Sequence, residues 1–408
     1  MTVASLVRKT LGLKRHRVVR VTEEAGHIVV DLDLIHRRQQ PCSGCGTFAK
    51  VRDRLQQRRW RHVPLWGMPC VLRYRPARVR CESCGITVEA IPWSEGKSPI
   101  AQPLIVVLAT WSRLLAWDVV ARLFGVRWST VYAAVQAAVA HGLAGRDLSG
   151  VVILGIDELS RRKRHVYHTN VYDLQTKRLL WSAEGRSAKT LEAFFDWFGA
   201  ENTARIEGIC CDMWAPYVDV VKLRASGATL VFDRFHVVAK LLLAVDKVRT
   251  AEAKAMHSRY PKVLAHTRYI FLKNPENLTE WERIKLRDLE RWNLRTVRAY
   301  LLKELFNRLW SYKRKAFARR FLERWFWWAT HSRLKPLRDF AWMMRRHLEG
   351  ILAWFDLRID NGAVEAMNNN AKAISHRARG YRTAKAFTTS MLHCMGGLQL
   401  PETVHRFA

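Results

Sequence analysis

The sequence predicts a multidomain protein of the mixed α/β class. A chain of 408 residues exceeds what one hydrophobic core usually supports, so about two to four domains are expected. From Val151 the sequence contains both strand-like apolar segments and helical ones, whereas residues 240–355 show helical patterns alone. The predicted order is a paired-cysteine domain at 1–95, a helical domain at 96–148, the first part of an α/β core at 149–240, an all-α insertion at 241–355 and the final core helices at 356–408.

The composition predicts a polyanionic partner. The formal charge is +33, from 69 basic against 36 acidic residues, and Lys and Arg that neutralise phosphates supply most sequence-independent DNA affinity. An anionic membrane surface and a ribosomal location are the alternatives. The sequence contains no apolar run of about 18 residues and no signal-peptide pattern at its N-terminus, so we expect no membrane association and a cytoplasmic, nucleoid-associated location.

The first domain combines a β-hairpin with a predicted zinc site. Residues 17–34 alternate apolar and polar side chains around a Glu-Glu-Ala-Gly turn, which is typical of a hairpin. Two Cys-x-x-Cys-Gly repeats follow, and two thiolate pairs can close a tetrahedral Zn²⁺ site that helps a thin core to fold. Four ordinary buried thiols are the alternative. The predicted ligands are Cys42, Cys45, Cys81 and Cys84, whereas Cys70, Cys210, Cys211 and Cys394 are interpreted as core residues.

The second domain resembles a helix-turn-helix. Residues 112–141 have helical periodicity that is interrupted at Gly125, with Val126 placed to plug the turn. The second helix would enter a major groove with its first residues. A purely structural helical pair is the alternative. The predicted DNA contacts are Arg127, Ser129, Thr130 and Tyr132.

The α/β core has the element order of a ribonuclease H-like fold. Three strands that follow one another directly precede a helix, a strand, a helix and a further strand, ending near "ATLVFDRFHV". A doubly wound nucleotide fold would alternate strand and helix from the start. The order therefore predicts a mixed sheet with helices on both faces.

Two aspartates follow apolar strands of this core. Asp157 comes at the end of "LGID" and Asp212 at the end of "IEGICCD", and the carboxyl ends of neighbouring strands lie side by side in such sheets. Glu365 supplies a third carboxylate from the first turn of an amphipathic helix. Three hard oxygen ligands suit two Mg²⁺ or Mn²⁺ ions, which can activate an attacking oxygen on a phosphodiester. Helix caps and turns also use Asp freely, which is the alternative for each aspartate.

The helix that carries Glu365 has an unusual polar face. Amides and cations follow the carboxylate at helical spacing, as if to hold a nucleic-acid backbone; the predicted contacts are Asn368, Asn369, Lys372 and Arg379. Asp360 precedes the helix as its expected cap. Asp233 and His236 in "FDRFHV" are secondary candidates, because Asp233 could approach the metals or simply cap the next helix.

The insertion is rich in arginine and tryptophan. Residues 281–350 carry 19 Lys and Arg against 7 Asp and Glu. The tryptophans, including Trp325, Trp327, Trp328 and Trp342, are expected to be mostly core anchors of a helical bundle.

These motifs together resemble the transposases of the ISL-three type of bacterial insertion sequences, within the class of DDE transposases. The resemblance rests on the paired cysteines around "RRWRHVPLWG" and on "GIDE", "CDMWAPY", "FDRFHV" and "NGAVEAMNNNAKAISHRARGYR" in this order. It implies that Asp157, Asp212 and Glu365 are the metal-binding triad and that a helical insertion separates the last two. His376 departs from the basic residue expected in the closing motif.

The resulting hypothesis is a Mg²⁺-dependent transposase. It would bind the terminal inverted repeats of its element and target DNA, cut the ends and transfer the strands. A catalytically silent DNA-binding regulator and a nuclease without strand transfer are the alternatives. At least a homodimer is expected from the resemblance, because two element ends are handled together.

Overall fold

The computed structural model describes residues 3–11, 13, 15–162, 166–359 and 362–402, so the predicted cap Asp360 lies outside the described residues. The chain divides into two compact units. One comprises Met1–Asp147 with Ala371–Ala408, and the other comprises Leu148–Asn370. None of the described helices is both long enough and apolar enough to cross a membrane.

The first unit begins with a short helix and two four-stranded sheets. The elements are α1 (Val3–Thr10), β1 (His16–Glu24), β2 (His27–Leu34), β3 (Gln39–Pro41), β4 (Phe48–Arg54), β5 (Arg58–Leu65), β6 (Met68–Tyr74), β7 (Ala77–Cys81) and β8 (Gly85–Val88). One sheet has the order β1-β2-β6-β5 and the other β3-β4-β7-β8. The predicted hairpin is β1 and β2, and its two-residue turn has positive φ at Ala25 and Gly26, as hairpin turns that match strand twist require.

Three helices follow: α2 (Gln102–Leu114), α3 (Trp117–Leu123) and α4 (Trp128–Ala144). They share a core that includes Leu108, Val120 and Val135. The helical region was predicted to begin at Ser112, but the structure begins it ten residues earlier, at Gln102. Pro103 is compatible with this start, because a proline in the first turn of a helix lacks only an N–H that has no partner there. Gly125 has φ of +57° between α3 and α4, and Val126 packs against their core, which is the predicted turn.

The second unit is built on a five-stranded sheet. Its elements are β9 (Ile153–Arg162), β10 (Val166–Asp173), β11 (Arg178–Glu184), α5 (Ala188–Phe198), α6 (Ala200–Ala204), β12 (Gly208–Cys211), α7 (Ala215–Arg224) and β13 (Thr229–Phe232). The strand order is β11-β10-β9-β12-β13; the first three strands are antiparallel, and β12 runs parallel to both β9 and β13. The predicted order of strands and helices is thus present.

Both faces of this sheet are covered. Cys211 belongs to the core formed with α5 and α7, whereas its neighbour Cys210 belongs to the core formed with the helical segment that follows. Successive side chains on a strand point to opposite faces, so the two adjacent cysteines mark the two cores. The predicted burial of both cysteines is confirmed.

The helical segment consists of α8 (Arg234–Met256), α9 (Arg268–Leu272), a 3₁₀ turn (Pro275–Asn277), α10 (Glu280–Glu290), α11 (Arg295–Asn307), a second 3₁₀ turn (Arg308–Ser311), α12 (Lys315–His331), α13 (Lys335–Arg346), α14 (Leu348–Leu352) and α15 (Trp354–Leu357). Its core is continuous with one face of the sheet, since it includes Val231 and Phe232 of β13.

The expectation for the tryptophans was wrong for three of the four that it named. Trp325 is fully buried, but Trp327, Trp328 and Trp342 are 59%, 43% and 47% exposed. Helix α12 buries a single stripe formed by Ala318, Leu322, Trp325, Phe326 and Ala329. Trp327 and Trp328 lie outside this stripe, because a helical turn takes 3.6 residues.

Two helices complete the fold: α16 (Gly362–Arg377) and α17 (Ala384–Met395). The division between the units falls within α16. Its predicted apolar stripe is present, since Val364, Met367 and Ala371 are buried. Arg379 and Gly380 have φ of +54° and +86°, and the N–H of Gly380 donates to the carbonyl of Ser375 at 2.8 Å, which closes the helix end.

Candidate active site

The four predicted zinc ligands converge. The sulfur atoms of Cys42, Cys45, Cys81 and Cys84 all lie within 4.8 Å of one another. Each Cys-x-x-Cys pair is followed by a glycine with positive φ, +76° at Gly46 and +71° at Gly85, so the chain turns back around the sulfurs. Four thiolates at this spacing suit a closed tetrahedral Zn²⁺ site.

Hydroxyl groups next to these sulfurs favour the form of cysteine that binds metal. Hydrogen bonds from Ser83 and Thr47 help to lower the pKa of Cys81 to about 5. The thiolate rather than the thiol is the metal ligand. The donor set therefore fits zinc in geometry, and Cys81 is held in the form that binds metal.

Three aspartates line up across the parallel strands of the second unit. Cys210 of β12 pairs with Gly155 of β9, so continuing this register by two residues places Asp212 beside Asp157. Cys211 pairs with Phe232 of β13, and the next residue in each strand places Asp212 beside Asp233. Side chains at matching positions of parallel strands point to the same face, which brings the three carboxylates together.

Asp157 lies within a strand rather than at its end, which corrects the prediction. Strand β9 continues to Arg162, because it pairs with β10 over its whole length. Of the three strands, only the parallel neighbours β12 and β13 end beside Asp157, at Cys211 and Phe232. The edge where the aspartates meet is therefore formed by the ends of two strands and the middle of a third.

The carboxylate of Asp157 is held by two hydrogen bonds. Its Oδ1 accepts from the backbone N–H of Glu158 at 2.8 Å, and its Oδ2 accepts from Nδ2 of Asn368 at 2.6 Å. Burial raises the pKa of Asp157, and the neighbouring charges of Asp233 and Asp212 raise it further. Such mutual repulsion between acids is what a bound cation relieves.

Asn368 is itself oriented by a chain of polar groups on β10 that were not among the predicted site residues. The hydroxyl of Tyr172 donates to Oδ1 of Asn368 at 2.7 Å, and Nδ2 of Asn170 donates to the Tyr172 oxygen at 3.2 Å. Asn170 and Tyr172 are two residues apart on β10 and so share one face. The alternation of "TNVYD" is the only signal in the sequence that could have indicated this role.

Asn368 was predicted to contact DNA, and the structure gives it a different position. Asn368 is only 6% exposed, and its side-chain amide already forms hydrogen bonds with Asp157 and Tyr172. A helix face that looks polar in sequence can point into a polar interior, and periodicity does not distinguish the two. Asn369 and Lys372 are exposed, as DNA contacts must be.

Asp233 takes the capping position that the sequence analysis offered as one of two alternatives. Its carboxylate oxygens accept from the backbone N–H groups of Phe235 and His236 at the start of α8, and the residue is 3% exposed. The His236 ring lies between the aspartates, with Nε2 4.0 Å from Asp157 Oδ1 and Nδ1 4.0 Å from Asp212 Oδ1.

Glu365 is exposed in the first turn of α16, one turn before Asn368 on the same helical face. In the part of the chain that the structure describes, the four cysteines are the only group of three or more potential ligands whose atoms all lie within 4.8 Å. The structure thus brings Asp157 and Asp212 together and places Glu365 on the neighbouring turn, without closing the three carboxylates around one point.

A glycine permits the close approach of α16 to the sheet. A Cβ added to Gly155 would lie 2.6 Å from a methyl carbon of Val364 and 2.6 Å from one of Leu174, distances that real Cβ atoms do not show. The absence of a side chain at Gly155 therefore lets the helix that carries Glu365 and Asn368 pack directly against β9.

The predicted DNA contacts of the first unit lie at the start of α4. Arg127 and Ser129 are exposed, and Thr130 and Tyr132 are half-buried. Arg379 was predicted to continue the polar face of α16, and this is wrong. The helix ends at Arg377, and the chain reverses at Arg379 and Gly380. Arg379 instead borders the same groove as Tyr132.

Comparisons with known proteins match both regions. A family model described as "Transposase" matches residues 154–391, and one described as "zinc-finger of transposase IS204/IS1001/IS1096/IS1165" matches residues 38–84, which contain all four zinc ligands. The chain is 30% identical over 350 residues to "Transposase for insertion sequence element IS1001" of Bordetella parapertussis, covering 85% of this chain and 86% of that protein. It is 29% identical over 424 residues to "Transposase for insertion sequence element IS1557" of Mycobacterium tuberculosis, covering 96% and 95%.

Proposed function

The chain belongs to the ISL-three family of DDE transposases, and from this membership we propose that it cleaves DNA at the ends of an insertion sequence and joins the freed ends to target DNA. The observation that carries the proposal is the grouping of Asp157, Asp212 and Asp233 around the ring of His236, which agrees with the register of β9, β12 and β13 continued beyond their last paired residues. Helix α16 adds Glu365 one turn from the hydrogen bond that Asn368 makes to Asp157.

The core of the proposed enzyme is ribonuclease H-like. The strand order β11-β10-β9-β12-β13, with three antiparallel strands followed by two parallel ones, supports this fold. In this scheme residues 149–240 and 356–408 form the core, residues 241–355 form the insertion, and residues 1–95 and 96–148 form the zinc-binding and helix-turn-helix domains.

The metal ligands of the proposed reaction are Asp157, Asp212 and Glu365. Carboxylate oxygens are the ligands that Mg²⁺ and Mn²⁺ prefer, and two such ions would supply an activated oxygen nucleophile and stabilise the leaving oxygen of a phosphodiester. Asn368 holds Asp157 in one orientation. Asp233 and His236 occupy supporting positions, the first as a helix cap and the second between the aspartates.

The DNA contacts of the proposed enzyme come from several elements. Arg127, Ser129, Thr130 and Tyr132 would read the inverted repeats from the start of α4, and Asn369 and Lys372 would hold a DNA backbone beside Glu365. The charge of +33 supports a polyanionic partner. We propose that the protein acts in the bacterial cytoplasm on the nucleoid, as a homodimer or larger assembly that holds two ends together.

Conservative substitution of a ligand tests the enzyme assignment. Asp157→Asn is expected to bind element-end DNA with unchanged affinity and to lower Mg²⁺-dependent cleavage by at least about 100-fold, the order seen when one electrostatic contact of a transition state is lost. The matched control is Asp196→Asn, which changes a 65% exposed aspartate on α5. Wild-type cleavage by Asp157→Asn would refute the assignment.

The same assay separates the alternatives. A wild-type protein that binds the ends but never cuts them with Mg²⁺ or Mn²⁺ is a regulator, and one that cuts without yielding joined products is a nuclease. Joined products that carry the 3′ end of the element support the transposase.

A further inference from the structure

A groove in the first unit lies between the helix pair and the chain reversal that follows α16. It encloses about 490 Å³, within the roughly 300–1,000 Å³ range of small-ligand sites. One wall is formed by α3 and the first turns of α4, and the other by residues 377–386. All of these residues belong to the same compact unit.

The floor of the groove is a short stack of aromatic rings. The Trp117 and Tyr132 ring centroids are 5.0 Å apart with an angle of 31° between the planes, and those of Trp128 and Tyr132 are 6.3 Å apart with an angle of 30°. Trp128 is 59% exposed. The indole at the open end therefore presents a large flat surface to solvent, continuous with the two rings stacked behind it.

The rim of the groove is cationic. Its lining contains four arginines against one aspartate, namely Arg122, Arg377, Arg379 and Arg382 with Asp118. Asp118 accepts a hydrogen bond from Arg122 at 3.1 Å on the surface of α3, which leaves a net positive rim. The reversal at Gly380 carries Arg379 to this rim rather than along the helix axis.

Flat aromatic surfaces edged by arginines fit one kind of ligand especially well. A nucleotide offers a planar base that stacks on aromatic rings and a phosphate that pairs with guanidinium groups. An apolar peptide would gain nothing from the arginines, and a bare anion would gain nothing from the rings. Trp128, which lines the groove, stands between Arg127 and Ser129 at the start of α4, the end that we propose reads DNA.

We propose that this groove binds one unstacked nucleotide of the DNA, with its base on the exposed face of Trp128, at the end of the aromatic stack, and its phosphate at Arg379. The proposal rests on the proposed function for the identity of the DNA but not for the chemistry of the groove. The protein groove would add a second mode of DNA recognition to that of the helix pair. The helix pair would read base edges in the major groove of DNA, whereas the protein groove would bind a base that has left its stack.

The test compares two single-stranded octanucleotides on the full-length protein by fluorescence anisotropy. One probe carries eight thymines, and the other has the same phosphates with abasic sugars throughout. Trp128→Ala is expected to weaken binding of the thymine octamer by roughly 5- to 150-fold, the effect of removing one stacking contact, and to leave binding of the abasic octamer unchanged. Trp128→Phe should restore the preference for bases.

The matched control is Trp281→Ala, which removes a 61% exposed tryptophan from α10 and should change neither affinity. A photoreactive 5-iodouracil at the centre of the octamer should attach to the peptide that contains Trp128 or Tyr132. Equal losses for both octamers in Trp128→Ala, or attachment only to other peptides, would overturn the proposal.

The two proposals fail separately. Asp157→Asn is expected to retain the full preference for the thymine octamer. If the wild-type protein showed this preference at Trp128 but cut no DNA, the nucleotide site would stand and the transposase assignment would fall.

Discussion

Asn368 determines how the carboxylate of Asp157 is presented. Its amide donates to Oδ2 of Asp157 at 2.6 Å and accepts from Tyr172 at 2.7 Å. The backbone N–H of Glu158 holds Oδ1, so each carboxylate oxygen has one donor and keeps a lone pair for a cation. Groups that orient a metal ligand matter nearly as much as the ligand. The sequence showed an amide at a helical spacing from Glu365, but only the packing of α16 against β9 and β10 revealed which way it points.

Asn368→Ala is expected to lower DNA cleavage by about 10- to 100-fold, the usual effect of losing a group that orients a ligand, while binding of element-end DNA is unchanged. The neighbouring exposed residue gives the contrast. Asn369→Ala should weaken DNA binding and leave the cleavage rate of saturated complexes unaltered. Single-turnover cleavage and filter binding measure the two effects, and reversed effects would contradict the assignment of the two amides.

His16 is a buried histidine that packs against aromatic rings. Its ring lies 4.9 Å from Tyr74 and 4.7 Å from Trp93, and neither ring nitrogen has a hydrogen-bond partner among the described residues. Burial lowers the pKa of His16 from 6.5 to about 4. Between these values the unfolded chain binds a proton that the folded chain does not, so the free energy of unfolding falls as the pH falls from 6.5 towards 4.

This loss amounts to about 3 kcal/mol once the pH reaches 4, at 1.36 kcal/mol for each unit of pKa. In His16→Phe the unfolded chain should take up one proton fewer across this range, so the free energy of unfolding should depend less on pH. At pH 7 the free energy of unfolding should change by less than about 1.5 kcal/mol, because the two side chains have similar shapes. Denaturant unfolding of both proteins at pH 7 and pH 5 measures the difference. An unchanged dependence on pH would show that His16 is charged when folded.

The contact between β9 and α16 shows which part of the site could be predicted from sequence. The apolar stripe of α16 and the apolar strand "VVILGIDEL" were both evident, as was the meander of β9, β10 and β11. The meeting of Asp157 and Asp212 was predicted from the two strand ends, whereas the place of Asp157 inside β9 was not and the position of Asp233 was left open. Both depend on the register between strands that are distant in the sequence. The exposed tryptophans of α12 and α13 were also missed, since aromatic composition does not report which helical face is buried.

Gly155→Ala tests the role of this contact. The added methyl group would meet Val364 and Leu174 at 2.6 Å, and overpacking of this kind costs about 1–3 kcal/mol. We expect the free energy of unfolding to fall by that amount and DNA cleavage to fall with it, because α16 must move away from β9. DNA binding through the first unit should persist.

The double variant Gly155→Ala/Val364→Ala provides the control, since shortening Val364 makes room for one of the two contacts. Coupled residues of this kind deviate from additivity by about 0.5–3 kcal/mol. Partial recovery of stability and cleavage supports a steric cause. If the effects of the two substitutions simply add, the helix and the strand are not in tight contact at this point.

Across the whole molecule, the four-cysteine site and the carboxylate site that we propose differ in chemistry and belong to different units. Four sulfurs in the first unit suit Zn²⁺, and hard carboxylate oxygens in the second suit Mg²⁺ or Mn²⁺. A thiolate site binds zinc tightly enough to determine folding, whereas Mg²⁺ ligands exchange freely with water. The requirements for binding DNA and for cutting it should therefore be separable.

The separation can be measured by metal content and activity together. Purified protein is expected to hold one zinc ion per chain by mass spectrometry, because the four cysteines form one site. Cys81→Ser should lose this zinc and weaken binding to element-end DNA, since the sheet that contains β7 loses its cross-link.

Asp157→Asn should keep the zinc and the DNA binding but lose cleavage. The control is Cys70→Ser, which changes a buried cysteine outside the cluster and should retain zinc. If Cys81→Ser retained one zinc ion, or Asp157→Asn lost it, the assignment of the two metals to separate units would be wrong.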